Sequence, residues 1–451
     1  MLPDVALLKI FEFYVYGEQI EAWHTLVHVC RKWRSVVFGS PLRLNLRIYY
    51  KAKTPVRETL NVWPPLPIII RVYGHEMWDL DNITAALEHN DRISELSLFD
   101  IPSWQFEKIL AAMQQPFPEL TRLELEPRDE STPVNSASFL GGSAPRLQSL
   151  ILGRIPFPGL PKLLLSATNL VDLDLLGIPH SGHISPEAMV TCLSVMTSLK
   201  RLFIKSESFQ WYPDEKSRRP PPLTRTLLPV LTDLRFRGPS KYLEDLVARI
   251  DAPLLNKLPI TFFHQLIFDT PQLTQFIKRT PKFKAHDEAR LIFSDWHVWV
   301  RLPQTSNGLL ELAVSCRQSD WQLSSLVQIC SSSFPQAFIP TVEHLYIIEV
   351  GYCDWQNDVE KSQWLELLRP FYAVKYLYLS RRFVQRVAPA LQELVGERET
   401  EVLPSLQTLF LEEISLSSVS VQGIIEQFVA ARQLGSHPIA VSRWERKLKA
   451  F

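Results

Sequence analysis

Cysteine, net charge and long apolar runs are what this chain has little of. Its five cysteines in 451 residues are odd in number and scattered without paired spacing, which argues against a disulfide framework or a zinc site. Lysine plus arginine and aspartate plus glutamate stand at 48 each, so no bulk field draws the chain toward nucleic acid or an acidic membrane. The longest charge-free stretch, Trp321 to Val342, is rich in Ser, Gln and Pro and does not suit a membrane span. Asp4 interrupts the N-terminal apolar run with no positive segment ahead of it, so the expected location is cytoplasm or nucleus. Catalytic signatures are missing as well. Gly141, Gly142 and Ser143 lack the lysine and second glycine of a phosphate loop, and neither a GxSxG elbow nor a paired-acid motif occurs. Neither an enzyme nor a cofactor is expected.

Leucine in a fixed pattern is what the chain does have. Leu-x-x-Leu-x-Leu, or an aliphatic or aromatic equivalent, runs through 120–125, 147–152, 170–175, 199–204, 231–236, 255–260, 342–347, 374–379 and 406–411, with an earlier copy at Ile93 to Leu98. Measured on the middle leucine from Leu96 to Leu258, the steps are 27, 27, 23, 29, 32 and 24 residues; from Leu345 to Leu409 they are 32 and 32. Leucine-rich repeats run at roughly 20 to 29 residues, so this array is long and irregular, with room for a helix in each repeat. Each Leu-x-Leu reads as a short strand with alternate side chains inward. Since one repeat cannot bury its own apolar face, stacking must supply the core. Helical spacing joins Phe106, Ile109, Leu110 and Met113; Met189, Cys192, Leu193 and Met196; Leu243, Leu246, Val247 and Ile250; and Ile424, Ile425, Phe428 and Val429. Pro118, Pro145, Pro253 and Pro404 stand just ahead of strand leucines and are expected to stop helices. The asparagine that many such repeats place after the strand is largely replaced by Ile101, Ile155, Ile178, Val350 and Ile414, which predicts a looser coil. Leu291 to Phe293 and Leu310 to Val314 carry poorer copies, and repeat boundaries between 258 and 345 are not legible. Ile439 to Val441 reads as a strand and Ser442 onward as an end cap.

The N-terminus is different. Leu2, Pro3 and Asp4 ahead of Leu7, Leu8, Ile10, Phe11 and Tyr14 predict a helix opened by proline and acid. Leu26, Val29, Cys30, Trp33 and Val37 form a second helical stripe. These residues, with the order Leu-Pro, Ile-Phe, Val-Cys-Arg-x-Trp and then Ser40, Pro41 and Leu42, resemble F-box proteins over roughly the first 45 residues, and the whole chain resembles the large F-box set of mushroom-forming fungi. The resemblance implies a helical F-box over 1–45, docking a Skp-type adaptor of a cullin-RING ubiquitin ligase through Leu2, Pro3, Leu7, Leu8, Ile10, Phe11, Val29 and Trp33. It implies a strand at Leu44 to Leu46, another from Ile68, and a substrate domain over 46–451. The expected architecture is thus α/β, a helical box followed by a leucine-rich-repeat horseshoe. A leucine-rich scaffold without a role in ubiquitination is the alternative.

Strand residues beside the core leucines face the concave side. Early repeats offer Glu95, Arg122, Glu124, Glu126, Asp172 and Asp174; middle ones Arg201, Lys205, Arg235, Arg237 and Lys257; late ones His344, Tyr346, Tyr376, Tyr378 and Phe410. Arginine forks beside tyrosines suit an acidic or phosphorylated protein segment, which marks Arg201, Lys205, Arg235, Arg237, Tyr346, Tyr376 and Tyr378 as substrate contacts. A solvated inner face of mixed charge is the plainer reading. His24 and His28, four apart with Cys30 close by, lack a third ligand and read as packing, while His180 and His183 read as turn residues. The prolines and arginines of 215–222 read as a loop, and Lys278, Arg279, Lys282 and Lys284 as one wet basic face.

Overall fold

The computed structural model describes residues 2–15, 22–41, 43–50, 56, 60, 63–74, 80–129, 139–157, 159–179, 182–206, 224–263, 269–283, 286–303, 308–316, 319–333, 339–351, 361–394, 398, 400–412, 419–435 and 437–445. The chain divides into two compact units, Met1–Glu207 and Ser208–Phe451, each mixed α/β.

The first unit opens with α1 (Asp4–Val15), whose first hydrogen bonds run from the amides of Ala6 and Leu7 to the Pro3 carbonyl. The second apolar stripe does not form one helix. It breaks into α2 (Trp23–Val29) and α3 (Arg31–Phe38) at Cys30, whose backbone is extended and whose Sγ accepts from the Trp33 amide at 3.5 Å. A sulfur acceptor at the N-cap satisfies a donor that the helix start would otherwise leave bare. Leu7, Phe11, Leu26, Val27 and Val37 are buried between the three helices. Trp23 ties these helices to the first strand: its indole N–H donates to the Arg47 carbonyl at 2.9 Å, and its ring meets Trp63 and Phe38 edge-on.

Leu44 and Leu46 are buried, but in a turn where Asn45 takes a φ of 48°, and the first strand starts two residues later. The parallel strands of this unit are β1 (Ile48–Tyr50), β2 (Ile68–Tyr73), β3 (Ile93–Ile101), β4 (Arg122–Pro127), β5 (Ser149–Gly153), β6 (Asp172–Ile178) and β7 (Arg201–Ser206), side by side in chain order. Their register places Ile70, Leu96, Leu123, Leu150, Leu173 and Leu202 in one row across the sheet, with Leu98, Leu125, Leu152 and Leu175 in the next. Parallel strands lie about 4.8 Å apart, so each leucine touches its counterpart in the next repeat. Helices α4 (Leu80–Leu87), α5 (Ser103–Ala112), α6 (Leu160–Ser166) and α7 (Pro186–Leu193) bury their apolar residues, with α4 packed on α5 and α6 on α7.

In the second unit, β8 (Thr226–Leu227) pairs with β10 (Ile250–Asp251) in a small sheet of their own. The main sheet holds β9 (Asp233–Gly238), β11 (Lys257–Phe262), β12 (Glu288–Phe293), β13 (His297–Pro303), β14 (Leu309–Ser315), β15 (His344–Glu349), β16 (Tyr376–Leu379), β17 (Thr408–Glu412) and β18 (Ala440–Trp444). Its helices are α8 (Ser240–Val247), α9 (Pro271–Arg279), α10 (Ser319–Gln328), α11 (Lys361–Leu368), α12 (Arg381–Leu391) and α13 (Val419–Leu434). The illegible stretch between Leu258 and Leu345 is an inserted meander. Strand β13 runs antiparallel to both β12 and β14, and the spatial order becomes β11, β14, β13, β12, β15. Val298, Val300 and Leu302 alternate inward along β13, so it continues the core although its direction is reversed. Beyond it the parallel row resumes through Leu345, Leu377, Leu409 and Val441. The C-terminal strand is thus a full member of the sheet as well as its cap.

The prolines do something more specific than stopping helices. Pro118, Pro145, Pro253 and Pro404 each sit second in a four-residue turn closed by the leading leucine's amide: Leu120 to Phe117 at 3.2 Å, Leu147 to Ala144 at 3.2 Å, Leu255 to Ala252 at 3.2 Å and Leu406 to Leu403 at 3.1 Å. Proline's fixed φ suits that position. Repeats without the proline close the same turn, as Leu170 to Ala167 at 3.2 Å shows.

Of the apolar replacements for the repeat asparagine, Ile101, Ile155 and Ile178 are buried, Val350 is 36% exposed, and Ile414 lies outside the described residues. Other side chains hold the turns. Asn169 donates to the Pro145 carbonyl at 2.9 Å, Arg92 to Leu66 at 3.0 Å, Arg279 to Ile250 at 2.9 Å, and the wholly buried Arg432 to Val402 and Leu403 at 2.9 and 3.0 Å. Arg279 also pairs with Asp251 at 2.6 Å, so it leaves the expected wet face; Lys284 lies outside the described residues. Between repeats, the Glu244 carboxylate on α8 accepts the amides of Gln272 and Leu273 at 2.9 and 2.7 Å, capping α9 of the next repeat. Among the described residues no helix is long and apolar enough to cross a membrane.

Two measurements test this packing. Leu202→Ala, at a wholly buried inward position, is expected to cost about 2–5 kcal/mol in urea unfolding, and Lys205→Ala, three residues on and half-exposed, about 0.5 kcal/mol or less. Burial pushes the Glu244 carboxyl up to about 7 from its usual 4.5, against the pull of its two amide bonds. The folded state then holds a proton that the unfolded chain has released, so this contribution is full below pH 4.5 and lost as pH rises through about 7. Glu244→Gln should remove that decline, and urea midpoints of wild type and variant between pH 4.5 and 8 read it. A wild-type midpoint that rises with pH relative to the variant would reject this assignment.

Candidate protein-interaction site

The N-terminal helices divide the expected docking residues into two sets. Leu7 and Phe11 are buried, and Phe11 packs on the half-buried Trp33 with centroids 4.9 Å apart. Leu2, Ile10 and Val29 are 56%, 50% and 55% exposed, Pro3 is exposed, and Leu8 is half-buried. Sequence reasoning missed Phe13, the most exposed large apolar side chain of these helices at 88%. Together with Ala6 and Ile10 it follows i, i+4, i+7 spacing on α1, a signal present in the sequence. Lys32 pins the start of the helix, donating to the Leu2 carbonyl at 2.9 Å and pairing with Asp4 at 3.3 Å. Ile10 and Phe13 thus stand in solvent on one side of α1, and exposed apolar side chains that lie together mark interaction sites.

The sheet faces away from the helices with its remaining side chains, and there charge is paired. On the first unit Glu95 takes both Arg47 and Arg71, Arg122 joins Glu124, Arg154 joins Glu126 at 2.9 Å, and Arg201 joins Asp172 at 2.6 Å. On the second, Arg235 joins Asp233 at 2.8 Å, Arg290 joins Glu288 at 2.5 Å, and Arg301 joins Glu311 at 2.6 Å. Some of these pairs are two apart on one strand and so share a face; the others link one repeat to another, Arg47 reaching Glu95 past β2. Lys205 and Arg237 are half-exposed, and the Arg237 guanidinium lies 5.9 Å over the Phe263 ring. An acidic ligand would have to compete with Asp172 and Asp233 for Arg201 and Arg235.

Of the expected substrate residues, Arg201 and Lys205 belong to the first unit and the rest to the second. The three tyrosines come together. Strand register aligns Arg290, Tyr346, Tyr378 and Phe410 in one row. Tyr346 stacks on Tyr378 at 4.1 Å and 9°, and Tyr378 on Phe410 at 4.5 Å and 5°, while the Arg290 guanidinium stands 5.6 Å over the Tyr346 ring. One row earlier, His344 stacks on Tyr376 at 4.6 Å and 27°, and its Nδ1 is 3.4 Å from the Tyr378 hydroxyl. Trp444, from β18, lies 5.9 and 5.6 Å from Tyr346 and Tyr378. The role of Trp444 is invisible in the sequence because the strand reads as ending at Val441, whereas it runs on through Trp444. Burial first, then the neighbouring Tyr378, raises the Tyr346 hydroxyl above the usual phenol range, so this surface presents neutral phenols. The pair His24 and His28 packs against Trp63, at 5.0 and 6.0 Å. Among the described residues no three His, Cys, Asp or Glu side chains gather in the way a metal ion requires. His180 and the 215–222 loop lie outside the described residues.

Strands in parallel register, a leucine row and a helix in most repeats define a leucine-rich-repeat-like α/β protein. No protein-family model matches the chain, nor does any curated protein. Among solved structures, the leucine-rich repeat-containing protein LegL7 from Legionella pneumophila aligns over 85% of this chain and 96% of that one, at 12% identity and a TM-score of 0.28. A score of that size carries no argument, so the class rests on the registers above.

Double substitution measures the stack directly. Tyr346→Leu and Tyr378→Leu keep apolar bulk but not stacking, and their coupling in urea unfolding is expected at about 0.5–1.5 kcal/mol. Additive effects within about 0.3 kcal/mol would mean that the two rings do no more than two leucines.

Proposed function

We propose that this protein is a non-enzymatic receptor subunit of a Skp-cullin-F-box type ubiquitin ligase. The observation that carries the reading is the exposure of Leu2, Ile10, Phe13 and Val29 on or beside helices whose buried face is already filled by Leu7, Phe11 and Val37. An exposed set of this kind suits an adaptor helix laid onto it, and it falls in the segment whose motifs resemble an F-box. The repeat face of the second unit would then hold a protein substrate, with Tyr346, Tyr376 and Tyr378 as anchors and Arg235 and Arg237 as polar contacts, while Arg201 and Lys205 would offer polar contacts on the first unit. Tyrosine favours such a role because it supplies large area at low entropy cost. Trp23, bonded to the Arg47 carbonyl, supports the division of labour: it fixes the docking helices to the first strand, so a substrate on the first unit's strands would be presented at a defined distance from the ligase, raising effective concentration. The second reading, a repeat scaffold outside ubiquitination, is favoured by the same open face and needs no adaptor.

Calorimetry with a purified Skp-type adaptor separates the two. Sub-micromolar binding is expected for wild type, with a loss of at least about thirtyfold in Ile10→Asp, Phe13→Asp. Both residues are exposed, so circular dichroism melting should change little. Absence of binding by wild type would leave the scaffold reading.

A further inference from the structure

Both faces of the Tyr378 ring are covered, by Tyr346 at 4.1 Å and Phe410 at 4.5 Å. Trp444, inclined at 68° with centroids 5.6 Å apart, can therefore meet only its edge. Tyr346 stands likewise between Arg290 and Tyr378, and Trp444 meets it at 59° and 5.9 Å. The indole thus lies across two tyrosine edges, an arrangement in which the electron-rich face of one ring meets the electron-poor rim of others. An extended strand, β18, delivers it.

One row earlier the same receptor recurs. His344 and Tyr376 are aligned across β15 and β16 as Tyr346 and Tyr378 are, and they stack at 4.6 Å. Both are half-buried. Apart from members of the first stack, no ring among the described residues lies across their edges. The surroundings are neutral, since Glu288 holds Arg290 and Glu343 holds Lys375 at 2.7 Å.

We propose that the edges of His344 and Tyr376 receive an aromatic side chain from an extended segment of a partner protein, laid face-on as Trp444 lies on Tyr346 and Tyr378. This deepens, and rests on, the reading of the sheet's open face as the partner-binding face. The answered charges select against a phosphorylated residue, which would need unpaired cations. The 4.6 Å stack leaves no room for a ring to slide between. What remains is a neutral, flat, apolar side chain presented from an extended backbone, as β18 already presents Trp444.

The full chain labelled with 3-fluorotyrosine, its Tyr376 and Tyr378 fluorine resonances assigned by Tyr→Phe variants, tests this with N-acetyl-tryptophanamide as probe. The Tyr376 resonance should shift saturably with a dissociation constant of about 1–10 mM, and N-acetyl-leucinamide should bind at least about fivefold more weakly. His344→Ala should abolish the response while leaving in place the resonance of Tyr242, buried on α8 and assigned in the same way, which shows that the variant is folded. In Trp444→Ala the Tyr378 resonance should become responsive as well. A Tyr376 resonance that ignores the tryptophan amide, or that responds to the leucine amide equally, overturns the proposal. Adaptor binding by the same wild-type protein keeps the two readings apart: if it persists while the aromatic response fails, only this proposal falls.

Discussion

No repeat of this chain can bury its own leucines, and each depends on its neighbour presenting a leucine at the same height. The row through Leu96, Leu123, Leu150, Leu173 and Leu202 meets that condition. Its precision comes from the small turn ahead of the strands of Leu123, Leu150, Leu173 and Leu202, where the leading leucine's amide closes onto the carbonyl three residues back. That bond sets where the strand begins, and a one-residue slip would turn every leucine to the solvent side. The helices can vary in length and angle because they do not set the register. Steps of 23 and 32 residues therefore coexist in one array.

The repeats were legible because their signal has period two and recurs: the strands at Leu123, Leu150, Leu173, Leu345, Leu377 and Leu409 fall where the pattern puts them. So were the helices around Phe106, Met189, Leu243 and Phe428, although Ile250, spaced as part of one, belongs to a strand. The meander was not legible, since alternation along His297 to Pro303 does not say which way a strand runs. The break at Cys30 was hidden for a related reason. Apolar spacing continues straight through it, and only the extended backbone with its sulfur cap separates the helices. Leu44 and Leu46 alternate like a strand and are buried like one, yet Asn45 turns the chain between them.

The open face was half legible. Which residues lie on it can be read from alternation, but how they satisfy one another cannot. Blocks of acid and base along the sequence become pairs, because Asp172 and Arg201 are 29 residues apart in the chain and neighbours in the sheet. The tyrosines could be named, whereas their stacking awaited the register that puts Tyr346 beside Tyr378. Trp444 reaches them from the last strand, which no local pattern could have announced. What this face exposes is thus ring geometry more than free charge.

The reversed meander has a consequence for how such a chain can change length. Elsewhere a whole repeat could be lost or duplicated and the parallel row would close again, each strand meeting one of the same direction. Between β11 and β15 the unit of change is different. Strands β14 and β12 run in the direction of β11 and β15, with β13 reversed between them. Removing β14 or β12 alone would set β13 against a neighbour it does not now pair with, whereas removing β13 together with β14 would bring β12 beside β11 in the same direction. Strands are therefore gained or lost here as an antiparallel pair, and on either side of this point one repeat at a time.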